Sequence, residues 1–450
     1  MAPSDTSKRQ FSPRALAIAG TIVTLLLVAI VALVAPKEPS ATRRALEAKF
    51  AELRAKGVPV TAEDIGRALP DPPPERDARF LLAEAFNFSP GPIGQDVPVL
   101  SRDFPRRGAQ IPETMMQDME TFLADSDRLL AAIPEDFTGL RFSMGWTNGF
   151  TNLLPSVLID LRSLQQRLAM KAFYESGRGD SPRAATSLIK GFAVAAGVNG
   201  DSLVDAMIRV ACAGLMCDAA EQALNRVPFS AEDLHRMAAQ VKPEVIDDFT
   251  NTFIVERHLG TLTFNHMRES TRGLRGMFIN VVQRFKPPNK PVYSDEDYLL
   301  FLTFNEQQIK LQSRPLLERV RGYEQITTNY MTNASSLTAK MVMPGWSKAM
   351  RTAAETKARL VALKTALAIE RFRLANNNSF PGTLDTLVPK YCPSSPSDPF
   401  DAQPLRYRKL PRGYVVYSIG ADGVDNGGAE RTNRKNTSDY DLTITVEREQ

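Results

Sequence analysis

Cysteine and histidine are scarce, three of each in 450 residues. Cys212, Cys217 and Cys392 make neither an even disulfide framework nor a cysteine metal cluster, and the first two, five apart, would turn to different faces of a helix. The redox compartment stays open on that count. An excess of one charge is also lacking. Against 55 Lys and Arg stand 51 Asp and Glu, and the resulting +4 argues against nucleic-acid binding, which needs a concentrated basic face. Missing too are the local signatures of common chemistries. There is no G-x-S-x-G elbow, no G-x-x-x-x-G-K-S/T phosphate loop, no dinucleotide fingerprint after a strand and no H-E-x-x-H pair. Carboxylates are plentiful, but no two stand out as an acid and a base.

Long apolar runs are absent with one exception. Ala15 to Ala35, "ALAIAGTIVTLLLVAIVALVA", carries no charge, and its 21 residues at a helical rise of about 1.5 Å reach roughly 30 Å, the thickness of a bilayer core. It predicts a membrane-spanning helix. Lys8, Arg9 and Arg14 precede it against Asp5 alone, which places the N-terminus in the cytoplasm, although Lys37, Arg43 and Arg44 flank the other end. A cleaved signal peptide is the alternative. The run exceeds a usual signal core, and Pro36 after Val34-Ala35 suits cleavage badly, so an uncleaved anchor is the better reading. The stretch from Leu188 to Cys217 is interrupted by Lys190, Asp201, Asp205 and Arg209 and reads as buried soluble helices.

At 43% apolar residues, a chain of this length can fill more than one core. The expected order is a cytoplasmic tail (1–14), the anchor (15–35), a juxtamembrane helical and proline-rich region (36–150), an α-helical domain (151–346) and a C-terminal head (347–450). In the helical domain Leu158, Leu161, Leu164 and Leu168 recur at three- and four-residue steps behind Pro155. A turn at "SGRGDSP" leads to a second helix with Ala184, Leu188, Phe192 and Ala195. Asn199-Gly200-Asp201 opens a third. One hairpin looks like a tetratricopeptide unit, but no second copy follows at that period, and an irregular bundle fits as well. A further helix is expected from Pro243 to about Arg272, and others between Asp297 and Met341. Glu256, His258, His266 and Glu269 share the first of these, without a matched Glu-x-x-His that would support a metal site.

The head differs in character. "AAETKARLVALKTALAIERFRL", Ala353 to Leu374, is an amphipathic helix; Thr383 is placed to cap a short helix "LDTLV"; and "PLRYRKL", "GYVVYSIG" and "YDLTITVE" read as three strands, the first two a hairpin through Pro411-Arg412-Gly413. The fold class is α+β: an N-terminal transmembrane helix, a mainly α-helical middle of helical hairpins, and a C-terminal helix with a small antiparallel sheet.

Phe380-Pro381, Leu384, Leu387-Val388-Pro389, Asp398-Pro399-Phe400, Tyr407, Tyr417-Ser418 and Gly420-Ala421-Asp422-Gly423, in this order after a helix, resemble the globular head of the major pseudopilin of type II secretion, over roughly residues 353–446. The whole layout also resembles membrane-anchored planctomycete-type proteins, a resemblance that carries no activity. The pseudopilin resemblance implies Ca2+ in the loop after the second strand. Asp422 and the carbonyl of Ile419 match the family's pattern, while Asp425, Asp439 and Asp441 are approximate equivalents separated by an insertion carrying Arg431, Arg434 and Lys435. Calcium takes six to eight oxygens, and this glycine-rich, carboxylate-bearing loop is chemically suitable. A solvated turn accounts for the same residues. A filament subunit is not expected, because the apolar run ends at Ala35 while the head begins near Ala353.

The functional expectation is a single-pass inner-membrane protein with its bulk in the periplasm, serving as a scaffold or adaptor in envelope or secretion machinery, with protein partners and no nucleic acid. An envelope hydrolase is the rival. It requires Glu256, His258, His266 and Glu269 to converge in a pocket.

Overall fold

The computed structural model describes residues 40–70, 72–78, 105, 107–124, 126–137, 140, 156–197, 202–272, 291–343, 345–431 and 439–448. The tail and apolar run (1–35), Pro155, Asn199-Gly200-Asp201, Arg434 and Lys435 lie outside them. Among the described residues no helix is long and apolar enough to cross a membrane.

In chain order the helices are α1 (Ala41–Ala55), α2 (Ala62–Ala68), α3 (Glu113–Leu123), α4 (Asp127–Ala132), α5 (Ser156–Gly177), α6 (Ser181–Gly197), α7 (Leu203–Arg226), α8 (Ala231–Gln240), α9 (Thr250–Arg272), α10 (Asp295–Leu311), α11 (Leu316–Asn333), α12 (Leu337–Met341) and α13 (Trp346–Ala375). Hydroxyl caps set many of these starts. Ser40, Thr61, Ser202, Ser230, Ser294 and Ser336 each accept a hydrogen bond from an amide in the following turn, and Thr61 with Asp64 and Ser202 with Asp205 complete reciprocal capping boxes. The third helix of the middle region therefore opens at Ser202, just past the expected Asn-Gly-Asp turn. The expected helix from Pro243 is divided: a 3-10 turn, Pro243–Ile246, ends where the Asp248 carboxylate accepts from Thr250 N at 2.8 Å and starts α9 afresh.

The hairpin of α5 and α6 turns through Gly179, whose φ of 79° lies in the left-handed region. Helix α7 packs on both members. At the α6–α7 crossing, Gly191 leaves its face to Met216, whose side chain would sit 2.4 Å from any added Cβ.

The head is a helix on a three-stranded antiparallel sheet in the order β1 (Arg406–Leu410), β2 (Gly413–Ser418), β3 (Leu442–Glu447). This is the α+β layout the sequence predicts. Leu410 pairs Gly413, leaving Pro411 and Arg412 as the hairpin loop. Thr383 precedes the 3-10 turn Leu384–Leu387 as expected, but its hydroxyl makes no capping bond. Helix α13, at 30 residues, starts seven positions before Ala353 and does more than carry the sheet. It also packs against α7, α8 and α11, and one continuous apolar core runs from Leu46 through Leu188, Phe253 and Leu363 to Val446.

Candidate functional site

The head loop is built on Asp398. This carboxylate is fully buried and accepts from Phe400 N (3.0 Å), Ser418 Oγ (2.8 Å), Ile419 N (2.9 Å) and Arg406 Nη1 (2.9 Å). A buried charge is tolerable only when paired and hydrogen-bonded, and here a guanidinium and two backbone amides supply that compensation. The Asp-Pro-Phe motif was visible in the sequence. Its role was not, because Arg406 and Ser418 reach Asp398 from 8 and 20 positions away.

From Ile419 the chain folds back over the outer face of β2. Gly428, with a φ of 78°, lies directly on Tyr417 and Val415, where an added Cβ would stand 3.1 Å from the tyrosine ring. The loop thereby buries the second face of the central strand. The five residues expected to hold calcium are distributed as follows. Asp441, buried, accepts from Asn426 N at both oxygens and from Gly428 N at 2.7 Å. Asp425, exposed, accepts from Gly427 N (2.9 Å) and the Tyr417 hydroxyl (3.2 Å), with Arg406 Nε 3.7 Å from its other oxygen. Asp422 accepts from Val424 N at 3.1 Å and lies on the side of Glu355. Asp439 is exposed at a φ of 66°, and Ile419 is buried with its amide tied to Asp398. Only Asp425 and Asp441 are brought together. Burial, with Asp425 nearby, pushes the Asp441 carboxyl up, and burial beside the two carboxylates pushes Tyr417 to about 12.

These carboxylates accept from the loop's own amides, in Asx-type turns that need no cation. Among the described residues no three His, Cys, Asp or Glu side chains are grouped to hold a metal ion. The geometry favours the hydrogen-bonded turn over the cation loop.

Helix α9 separates the other candidates. Glu256 accepts from Leu203 N at 2.8 Å, at the amide-rich start of α7, and burial raises its carboxyl. His258 is buried beside the backbone of Val60, and desolvation lowers its imidazole. His266 and Glu269 are exposed. Glu256 and His258, two apart, point to opposite sides of the helix, and His258 and His266, eight apart, are separated by about 12 Å along its axis, so the four do not converge.

Two features of the head–body junction escaped sequence reasoning. The first is the outer edge of β3. Thr445 N donates to Glu221 Oε1 (2.9 Å), Asn225 Nδ2 donates to Thr445 O (2.8 Å) and Glu447 N donates to Asn225 Oδ1 (2.7 Å), so two α7 side chains close the edge. Charged pairs flank it: Arg359 reaches Asp218 at 2.5 Å, Arg107 spans Glu430 and Glu447 at 2.5 Å each, and Arg448 joins Leu224 O (2.9 Å) to Glu370 (2.8 Å). Burial, opposed by Arg359, pushes Glu221 up to about 7.

The second is a surface groove of about 430 Å³ between α8, the end of α13 and the head, lined by Glu232, His235, Arg371, Leu374, Lys390 and Tyr391 among others. The Tyr391 ring has Arg371 at 5.6 Å and Lys390 at 5.3 Å, both in cation–π range. Neither cation has a carboxylate partner among the described residues.

Two outcomes test these assignments. Gly428→Ala forces an L-residue into the left-handed region and a methyl against Tyr417, and should cost about 1–2 kcal/mol or more in denaturant unfolding, whereas added calcium should leave the melting temperature of the wild-type chain unchanged. For Glu221, the folded-state pKa of about 7 lies above the ordinary 4.5, so its stabilising contribution is complete below the ordinary value and is lost as pH rises through about 7. Glu221→Gln keeps an acceptor for Thr445 N and cannot titrate. The wild-type chain should therefore lose stability relative to this variant between about pH 5 and about pH 8, read from paired melts.

No family model, no curated protein and no solved structure matches the chain.

Proposed function

We propose that the chain is a single-pass, membrane-anchored envelope protein that works as a structural adaptor, with its N-terminus cytoplasmic and its helical body and head periplasmic. The run from Ala15 to Ala35 supports the anchor, and the pseudopilin-like order of head motifs points to secretion-type machinery as its setting. The observation that carries the adaptor role is the groove around Tyr391. Its wall combines a body helix with the head, so one docked segment would touch both, and Arg371 and Lys390 stand ready for acidic groups without surrendering ion pairs of their own. Tyr and Arg are enriched among the residues that anchor protein contacts.

The test is site-specific photo-crosslinking in cells from a probe at Leu374 in the groove, with Val424 on the head loop as control. We expect a discrete adduct from Leu374 alone, abolished by Arg371→Glu with Lys390→Glu. Equal labelling from both positions, or an adduct indifferent to charge reversal, would contradict the role assigned to the groove.

A further inference from the structure

Three large apolar side chains stand exposed close together in the chain: Met331 at 41%, Leu337 at 52% and Met341 at 57%. Leu337 and Met341 are four apart on α12 and share a face, and Met331 lies in the last turn of α11, which leads directly into α12. Scattered exposed apolar residues are ordinary; these three fall between residues 331 and 341, and two of them share one helical face, which makes the segment a candidate contact surface.

The position of this α11–α12 corner is fixed by hydrogen bonds. Leu337 N donates to Pro291 O (2.9 Å), Thr338 N donates to Val292 O (3.1 Å), and Ser335 N donates to the buried Asp297 carboxylate (3.0 Å) in the first turn of α10. The same turn receives the start of α1: Thr42 Oγ1 donates to Glu296 Oε1 at 2.9 Å, and Arg43 Nη1 lies 3.6 Å from Asp295. The apolar corner and the start of the first described helix therefore meet at the first turn of α10. Only four residues, Pro36 to Pro39, separate Ala35, the last of the apolar run, from Ser40, the cap of α1. Fully extended, the steps from Ala35 to Ser40 span at most about 18 Å.

We propose that this corner rests on the bilayer, with Met331, Leu337 and Met341 seated at the boundary of headgroups and acyl chains, a lipid-surface contact that orients the body over the membrane. The inference rests on the anchor reading above. Apolar side chains of an amphipathic surface reach that depth. Arg43 is engaged by Glu47 at 2.8 Å and lies 3.6 Å from Asp295, so the contact proposed is the apolar one made by the three exposed side chains.

The full chain is reconstituted into phosphatidylcholine vesicles with an environment-sensitive fluorophore on Leu337→Cys or Met341→Cys, in a Cys392→Ser background; Cys212 and Cys217 are buried and stay. Val424→Cys is the control, because the neighbouring Gly423 lies against Leu317 and Arg321 at the far end of α11, about 20 Å along that helix from Met331. Nitroxide-bearing lipids should quench the labels at 337 and 341 and leave 424 unquenched. Alkaline carbonate extraction is run on the same vesicles. An integral chain whose 337 and 341 labels remain water-exposed would overturn the surface contact alone, as would labels shielded from water yet unquenched by lipid, the signature of a second copy. A chain released by carbonate would overturn the anchor and the contact together.

Discussion

The structure depends on how the free edge of β3 is closed. An edge strand presents unpaired amides and carbonyls, and a three-stranded sheet covered by one helix would leave them to solvent or to another chain. Here Asn225 meets the carbonyl of Thr445 and the amide of Glu447, alternate residues, as a neighbouring strand would, while Glu221 takes the outward amide of Thr445. Because both side chains come from α7, the same contacts that finish the sheet also join it to the helical body. Helix α13 does the rest, giving one side to β2 and β3 and others to α7, α8 and α11.

That junction places the features of interest. The groove around Tyr391 exists because α8 and the Lys390-Tyr391 turn of the head converge on the end of α13. The loop over β2 is held at one end by Asp398 and at the other by Asp441, so its glycines and aspartates serve the sheet's second face. On the proposed reading, the body and head form a single arm above the membrane, touching lipid at one corner and a partner at the groove.

Much of the head was legible in sequence because its information is local: the helix before Asn376, the Phe380-Pro381 stop, the alternation of β2 and the hairpin turn. The helix starts were less so, since α7 opens at the Ser202–Asp205 capping box and α9 behind the Asp248 carboxylate rather than at the nearest glycine or proline. The aspartate loop stayed ambiguous in sequence between cation site and turn, and the close approach of Gly428 to Tyr417 favours the turn. What was illegible is long-range. Glu221 and Asn225 look like ordinary polar residues one helical turn apart, and nothing in their neighbourhood announces strand partners more than two hundred positions away. Glu256, His258, His266 and Glu269 erred the other way, close in sequence yet divided among the faces of α9.

The central claim is that head and body are one cooperative unit joined through β3. Native-state hydrogen exchange on the full chain, resolved at the amides of Thr445 and Glu447, tests it most directly. The account predicts protection matching that of the α7 core, with loss of both together. Exchange at these two amides far ahead of α7 would show a head that opens by itself, and would contradict it.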